Sequence, residues 1–207
     1  MAHRSRFARH GLHLGLATVA CLIIAIPAAP AAFIHFDPAT PIAIPPSTDT
    51  GYYMNVTNGD FGPMGTVENP SIGWYTTMSG VLPMLHFGVP TGSGSGYQGA
   101  LLNSPLNLAP GTYIGPDSAF YNGTGLGAAF HQTGTEIAGF RFINHDTNVY
   151  NYGWIRVTTT SGGGYPAAIL DWGYDDTGAP VFAGLVPEPG TAASFVLVGA
   201  LCLMRRR

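Results

Sequence analysis

Glycine and proline decide what the middle of this chain can become. The 207 residues hold 29 glycines and 17 prolines, and between residues 33 and 186 these interrupt the apolar runs before a helix could propagate. Relative to alanine, a helix interior loses about 1 kcal/mol at each glycine and about 3 at each proline. What survives between the interruptions is a set of short stretches with period-two alternation, the pattern of half-buried strands. Seven read as strands: GYYMNV (51–56), IGWYTTM (72–78), PMLHFGV (83–89), YQGALL (97–102), EIAGFRFI (136–143), GWIRVTTT (153–160) and AAILDWGY (167–174). In GFRFI, Phe140 and Phe142 point one way and Arg141 the other. In the last segment Ala168, Leu170, Trp172 and Tyr174 share one face, with Ile169 and Asp171 on the other. Short strands joined by glycine-rich turns predict an all-β body over residues 33–186, a β-sandwich or jelly roll.

Two glycine-rich segments fit the same picture. TGSGSGYQG (91–99) contains a literal G-x-G-x-x-G. No helical pattern follows it and no crossover unit is visible, so the dinucleotide reading fails on context. GTGLGAAF (123–130) reads as turn geometry.

The charge is placed as unevenly as the glycine. There is no lysine, and six of the eight arginines stand at the extremes, at Arg4, Arg6, Arg9, Arg205, Arg206 and Arg207. Residues 33–186 carry only Arg141 and Arg156 against ten carboxylates, a net charge of −8 with histidines neutral, whereas the whole chain is −3. A body of that sign repels phosphate, which argues against nucleic acid as a partner. The two cysteines, Cys21 and Cys202, lie in the terminal apolar runs. No disulfide framework or thiolate zinc site is therefore available to the middle, and packing must hold it together.

The two ends read as addresses. In MAHRSRFARHGLHLGLATVACLIIAIPAAPAAF a basic stretch leads into an apolar run through Ile26, and Ala29-Pro30-Ala31 supplies small residues in A-x-A spacing. That order predicts a secretory signal peptide over residues 1–32, cut after Ala31 or Ala32. The last residues, VPEPGTAASFVLVGALCLMRRR, carry an uncharged run of 14 from Thr191 to Met204. As a helix it reaches about 21 Å at ~1.5 Å per residue, short of a hydrocarbon core of about 30 Å. Local thinning and snorkelling of the arginines relieve such a mismatch. Arg205, Arg206 and Arg207 hold that end in the cytoplasm by the positive-inside rule. A C-terminal transmembrane helix is expected, with the body outside.

Pro187-Glu188-Pro189, the short apolar run and the terminal arginines together resemble the PEP-CTERM sorting signal of Gram-negative bacteria. The resemblance covers residues 187–207. It implies recognition of the tripeptide by an exosortase, an integral-membrane cysteine protease, and a protein bound for the cell surface or extracellular matrix. The physical logic agrees, because the prolines keep the stretch extended and poor in amide donors, hence open to a protease. Residues 139–190, GFRFIN…YGWIRVT…ILDWGYDDTGAPVFAGLVPEP, are also similar to a run in exported PEP-CTERM proteins of planctomycetes and related bacteria. That second resemblance implies a secreted β-rich body and brings no catalytic residue with it.

The middle offers little chemistry. His35, His86, His131 and His145 make no local H-x₃-H or H-E-x-x-H spacing, and no G-x-S-x-G elbow is present, so the body reads as non-enzymatic. DWGYDD (171–176) is the most suggestive patch. Asp171, Asp175 and Asp176 could supply oxygens to Ca²⁺, although aspartates at a turn also serve the backbone. Tyr52, Tyr53, Trp74, Tyr75, Tyr97, Tyr150, Tyr152 and Trp154 suit sugar stacking or a sandwich core equally. Arg141 and Arg156 are expected to pair across the sheet with carboxylates. The expected function is structural or adhesive, in an exopolysaccharide matrix as the resemblance implies. A carbohydrate- or calcium-binding surface module is the alternative, and a secreted hydrolase a third.

Overall fold

The computed structural model describes residues 33–47, 51–79, 82–100, 104–123 and 125–187. Ala31, Ala32, Glu188, Pro189 and Arg205–Arg207 lie outside the described residues, and so do the apolar runs of both ends. Among the described residues no helix is long and apolar enough to cross a membrane.

The body is all-β, as its punctuation requires. Four short strands come first, β1 (Phe33–Phe36), β2 (Ile42–Ile44), β3 (Tyr52–Met54) and β4 (Phe61–Pro63). The antiparallel pair β5 (Ile72–Ser79) and β6 (Leu82–Gly88) follows, then β7 (Gly96–Ala100). The two-residue strands β8 (Ser104–Pro105), β9 (Tyr113–Ile114), β10 (Phe120–Tyr121) and β11 (Gly125–Leu126) precede a 3₁₀ turn at Ala128–Phe130. Three long strands, β12 (Gly134–Asn144), β13 (Val149–Thr159) and β14 (Ala167–Asp175), lead to a short β15 (Val181–Phe182).

They form two open sheets and a small third layer. The eight-stranded sheet runs β1-β14-β13-β12-β7-β10, with β2 also on β14 and β8 on β7; the five-stranded sheet runs β11-β6-β5-β3-β4; β15 pairs with β9. All seven expected strands are present, with ends shifted by a few residues. The G-x-G-x-x-G segment enters β7, so it leads into a strand.

The two large sheets face each other across one core. Trp74, Leu85 and Phe87 from one meet Tyr97, Phe140, Phe142, Ile155 and Trp172 from the other, all wholly or almost wholly buried. Burying each such side chain contributes roughly 1.5–3 kcal/mol. Rings order the interior: Phe87 lies 5.1 Å from Tyr97 edge-on and 4.4 Å from Phe130. Hydrogen bonds also cross between the layers. The Trp172 indole donates to the Val56 carbonyl at 3.0 Å and the Tyr97 hydroxyl to the Gly73 carbonyl at 3.4 Å.

The alternation expected along β14 is wrong in its first half. Arg156 faces Asp171, but Val157 faces Ile169, so Leu170 is an extra residue on β14. Such a bulge reverses which side chains point inward. Ala167 and Ile169 therefore join Trp172 and Tyr174 in the core, while Ala168 and Leu170 stay half-buried outside it. The edge breaks at the same place, since β1 pairs with Trp172–Asp175 and β2 with Ala167–Ile169. The alternation in β12 holds: Phe140 and Phe142 are core residues and Arg141 is on the other face.

That other face of the eight-stranded sheet, here the outer face, is not bare. A second apolar cluster of Leu108, Ile114, Ile137, Tyr152, Trp154, Val181 and Ala183 covers it, brought there by the β9–β15 layer and the loop before it.

Candidate functional site

The outer face gathers every side chain that the sequence marked for chemistry on β13 and β14. The bulge at Leu170 leaves Asp171 opposite Arg156 and pointing outward with its neighbours from β1. Arg156 Nε donates to Asp171 Oδ1 at 2.6 Å, its Nη2 donates to Oδ2, and His35 Nε2 stands 3.0 Å from that same Oδ2. The Trp154 ring lies close to both partners, 5.7 Å from the His35 ring and 5.6 Å from the Arg156 guanidinium carbon. Hydrogen bonding to Asp171 raises the Arg156 pKa above its ordinary value against the opposing pull of burial. The expected cross-strand ion pair is thus present at Arg156.

Asp175 does a different job. Its Oδ1 accepts from the Thr177 amide at 2.9 Å, the Thr177 hydroxyl at 2.5 Å and the Ala179 amide at 3.0 Å, closing the turn that follows β14. This is the backbone service that aspartates commonly give at turns. Asp176 is half-buried beside it, with Oδ1 free of hydrogen bonds. Among the described residues no group of three or more His, Cys, Asp or Glu side chains stands close enough to hold a metal ion.

Arg141 finds rings instead of carboxylates. Its guanidinium carbon lies 5.0 Å from the Phe120 centroid and 4.9 Å from that of Tyr150, a cation–π arrangement that the sequence did not announce. Of the eight Trp and Tyr residues considered for sugar stacking, Tyr53, Trp74, Tyr97, Tyr152 and Trp154 are buried, and Tyr150 is the one clearly exposed. The histidines are dispersed, except that burial and then the nearby His131 lower the His86 pKa. His131 Nε2 lies 2.8 Å from the Leu85 carbonyl and His86 Nε2 lies 2.7 Å from the Thr77 hydroxyl. His145 is exposed on the β12–β13 turn. A polar cleft of about 240 Å³ lies beside that turn, lined by Asn55, Asn58, Glu68, Asn69, Asn144 and Asp146 among others.

The most organised feature is the path by which the chain leaves the body. Val181 and Ala183 are buried in the second cluster, and their alternation with Leu185 is the only sequence signal for it. The Ala183 amide donates to the Thr112 carbonyl at 2.9 Å, and the Gly111 amide donates to the Ala183 carbonyl at 2.8 Å. One turn later the Leu185 amide donates to the Phe182 carbonyl at 3.1 Å, and the Trp154 indole donates to the Leu185 carbonyl at 3.3 Å. Among the described residues Leu185 is the last held in this way. Val186 and Pro187 are exposed.

The other end of the body lies alongside. Phe33 stacks on Trp154 at 6.3 Å between centroids and shares with Pro180, Phe182, Leu185, Val186 and Pro187 an apolar groove of about 490 Å³. The first and last described residues therefore emerge together. No protein-family model matches this chain, and no curated protein or solved structure matches it either.

Proposed function

We propose that this is an exported surface protein whose body is structural or adhesive. In this reading an N-terminal signal peptide exports it, the C-terminal apolar run holds it in the membrane transiently or permanently, and an exosortase-type protease reads Pro187-Glu188-Pro189. The observation that carries the reading is the exit path. The chain is clamped through Leu185 and then exposed at Pro187, so the tripeptide begins two residues beyond that clamp. A protease needs an extended, accessible segment, and a rigid platform beside it keeps the body out of the way. Supporting it further, Phe33 and Pro187 leave from one groove, as two ends addressed to one membrane should. The body is non-enzymatic on this account, with exopolysaccharide as its surroundings.

A second reading, a carbohydrate-binding module, is favoured by the polar cleft of about 240 Å³, whose amides and carboxylates suit sugar hydroxyls. It requires saturable retention on a polysaccharide that is lost on substituting Asn144.

The deciding experiment is the intact mass of the protein from its native host, beside a variant with Pro187, Glu188 and Pro189 changed to alanine. Loss of the last ~20 residues from the wild type alone supports a processed sorting signal. Arg207 retained in both overturns the processing and leaves a permanently anchored protein.

A further inference from the structure

We infer that the apolar face on which both ends of the body emerge is a membrane-contact surface, seated on the lipid bilayer that holds the tail. This rests on the anchoring just proposed and adds an orientation to it.

The face has the composition of a surface meant to leave water. Phe182 is 50% exposed, Leu185 49% and Val186 45%, side by side on one groove. Tyr113, 38% exposed, packs against Phe182 with ring centroids 6.2 Å apart. Contiguous exposed apolar groups mark contact sites, and tyrosines suit the headgroup level of a bilayer. Among the described residues no arginine lines the groove, and the one carboxylate there, Asp175, turns Oδ1 to the Thr177 and Ala179 amides.

Chain length identifies the occupant. Residues 188–190 are all that separate Pro187 from the uncharged run beginning at Thr191. Consecutive Cα atoms are about 3.8 Å apart, so the four steps from Pro187 to Thr191 reach no more than about 15 Å. The headgroup layer of one leaflet takes up about 5–8 Å of that. A groove that includes Pro187 itself is then left no more than about 7–10 Å from the headgroup surface, even with the linker fully extended. A second copy of the chain could also cover the face, but the tether fixes only the bilayer at this distance.

The test uses the full-length chain with Cys21 and Cys202 changed to alanine and one cysteine added for an environment-sensitive fluorophore. Phe182→Cys and Leu185→Cys report the face. Met64→Cys, 63% exposed at the end of the five-stranded sheet's edge strand, is the control. The chain is reconstituted in phosphatidylethanolamine–phosphatidylglycerol vesicles with and without a spin-labelled lipid quencher, and flotation checks that it is anchored. At least twofold lipid-dependent quenching at 182 and 185, with none at 64, is the expected result. In floating vesicles, quenching at 182 and 185 no greater than at 64 overturns the membrane-contact surface and leaves the anchoring intact. A blue shift that grows with protein concentration in detergent, without lipid quenching, assigns the face to a second copy and likewise overturns it. Failure to float removes the anchoring itself, and this inference with it.

Discussion

Replacing Arg156 by methionine keeps most of the aliphatic stem near Trp154 and takes the guanidinium away from Asp171. The two partners are unequally buried, with side-chain exposures of 38% for Arg156 and 4% for Asp171. Removing one partner of a wholly buried pair costs about 3–5 kcal/mol, because a charge is stranded. Here the arginine side is open enough for water to enter, and screening lowers the expected loss to about 2–3 kcal/mol. His35 remains as the other side-chain contact of the stranded carboxylate. The converse change, Asp171→Asn, preserves volume and leaves a guanidinium able to turn to solvent, so about 1 kcal/mol is expected. With an m-value of about 2 kcal/mol per M of urea, the midpoints fall by about 1–1.5 M for Arg156→Met and about 0.5 M for Asp171→Asn. Equal losses in the two variants would refute the idea that unequal burial sets the cost.

Two further outcomes follow from packing and from titration. A Cβ at Gly153 would stand 2.5 Å from Phe140 Cζ and 2.6 Å from the Gly173 carbonyl oxygen, whereas one at Gly139 meets only side-chain ends at 2.9–3.1 Å. Gly153→Ala should therefore lose about 3 kcal/mol by calorimetry and Gly139→Ala about 1, and similar values would show that the sheet yields at both. Burial first, and then the neighbouring His131, lower the His86 pKa below its ordinary 6.5. The unfolded chain then holds that proton more tightly than the folded one, so this stability is present above about 6.5 and is lost as the pH falls below it. Melting temperatures at pH 7.5 and 5.5 should converge in His86→Gln relative to the wild type, and an unchanged gap would exclude His86 as the source.

The strands were legible because period-two alternation between glycines is a local property. Phe140, Arg141 and Phe142 could be assigned to faces from their order alone. Leu170 could not, because a bulge is settled by what the neighbouring strand offers, and Arg156 takes Asp171 at the expense of continuous alternation. Strands of two residues, such as Tyr113–Ile114, carry too little pattern to be read and exist only through their partners. The same limit applies to the proposed function. The tripeptide is visible as text, but the clamp ahead of it depends on Trp154 reaching the Leu185 carbonyl from a strand far back in the chain. The aspartates looked alike in sequence and were separated by geometry, one to an ion pair, one to a turn and one with a free oxygen.

β1 lies at the edge of the eight-stranded sheet beside β14, so the first strand described completes its hydrogen bonding only with the last long one. Such pairings between distant segments form slowly, after a large loop has closed. In an export channel that passes the N-terminus first, Phe33–Phe36 would arrive outside long before its partner. The sheet could not be finished until Trp172–Asp175 had crossed, and the second cluster not until Val181 and Ala183 had followed. Folding would then coincide with the arrival of the tail at the membrane. On the proposed export route, the closing of the sheet would act as a one-way catch that keeps the body outside as the tail reaches the membrane.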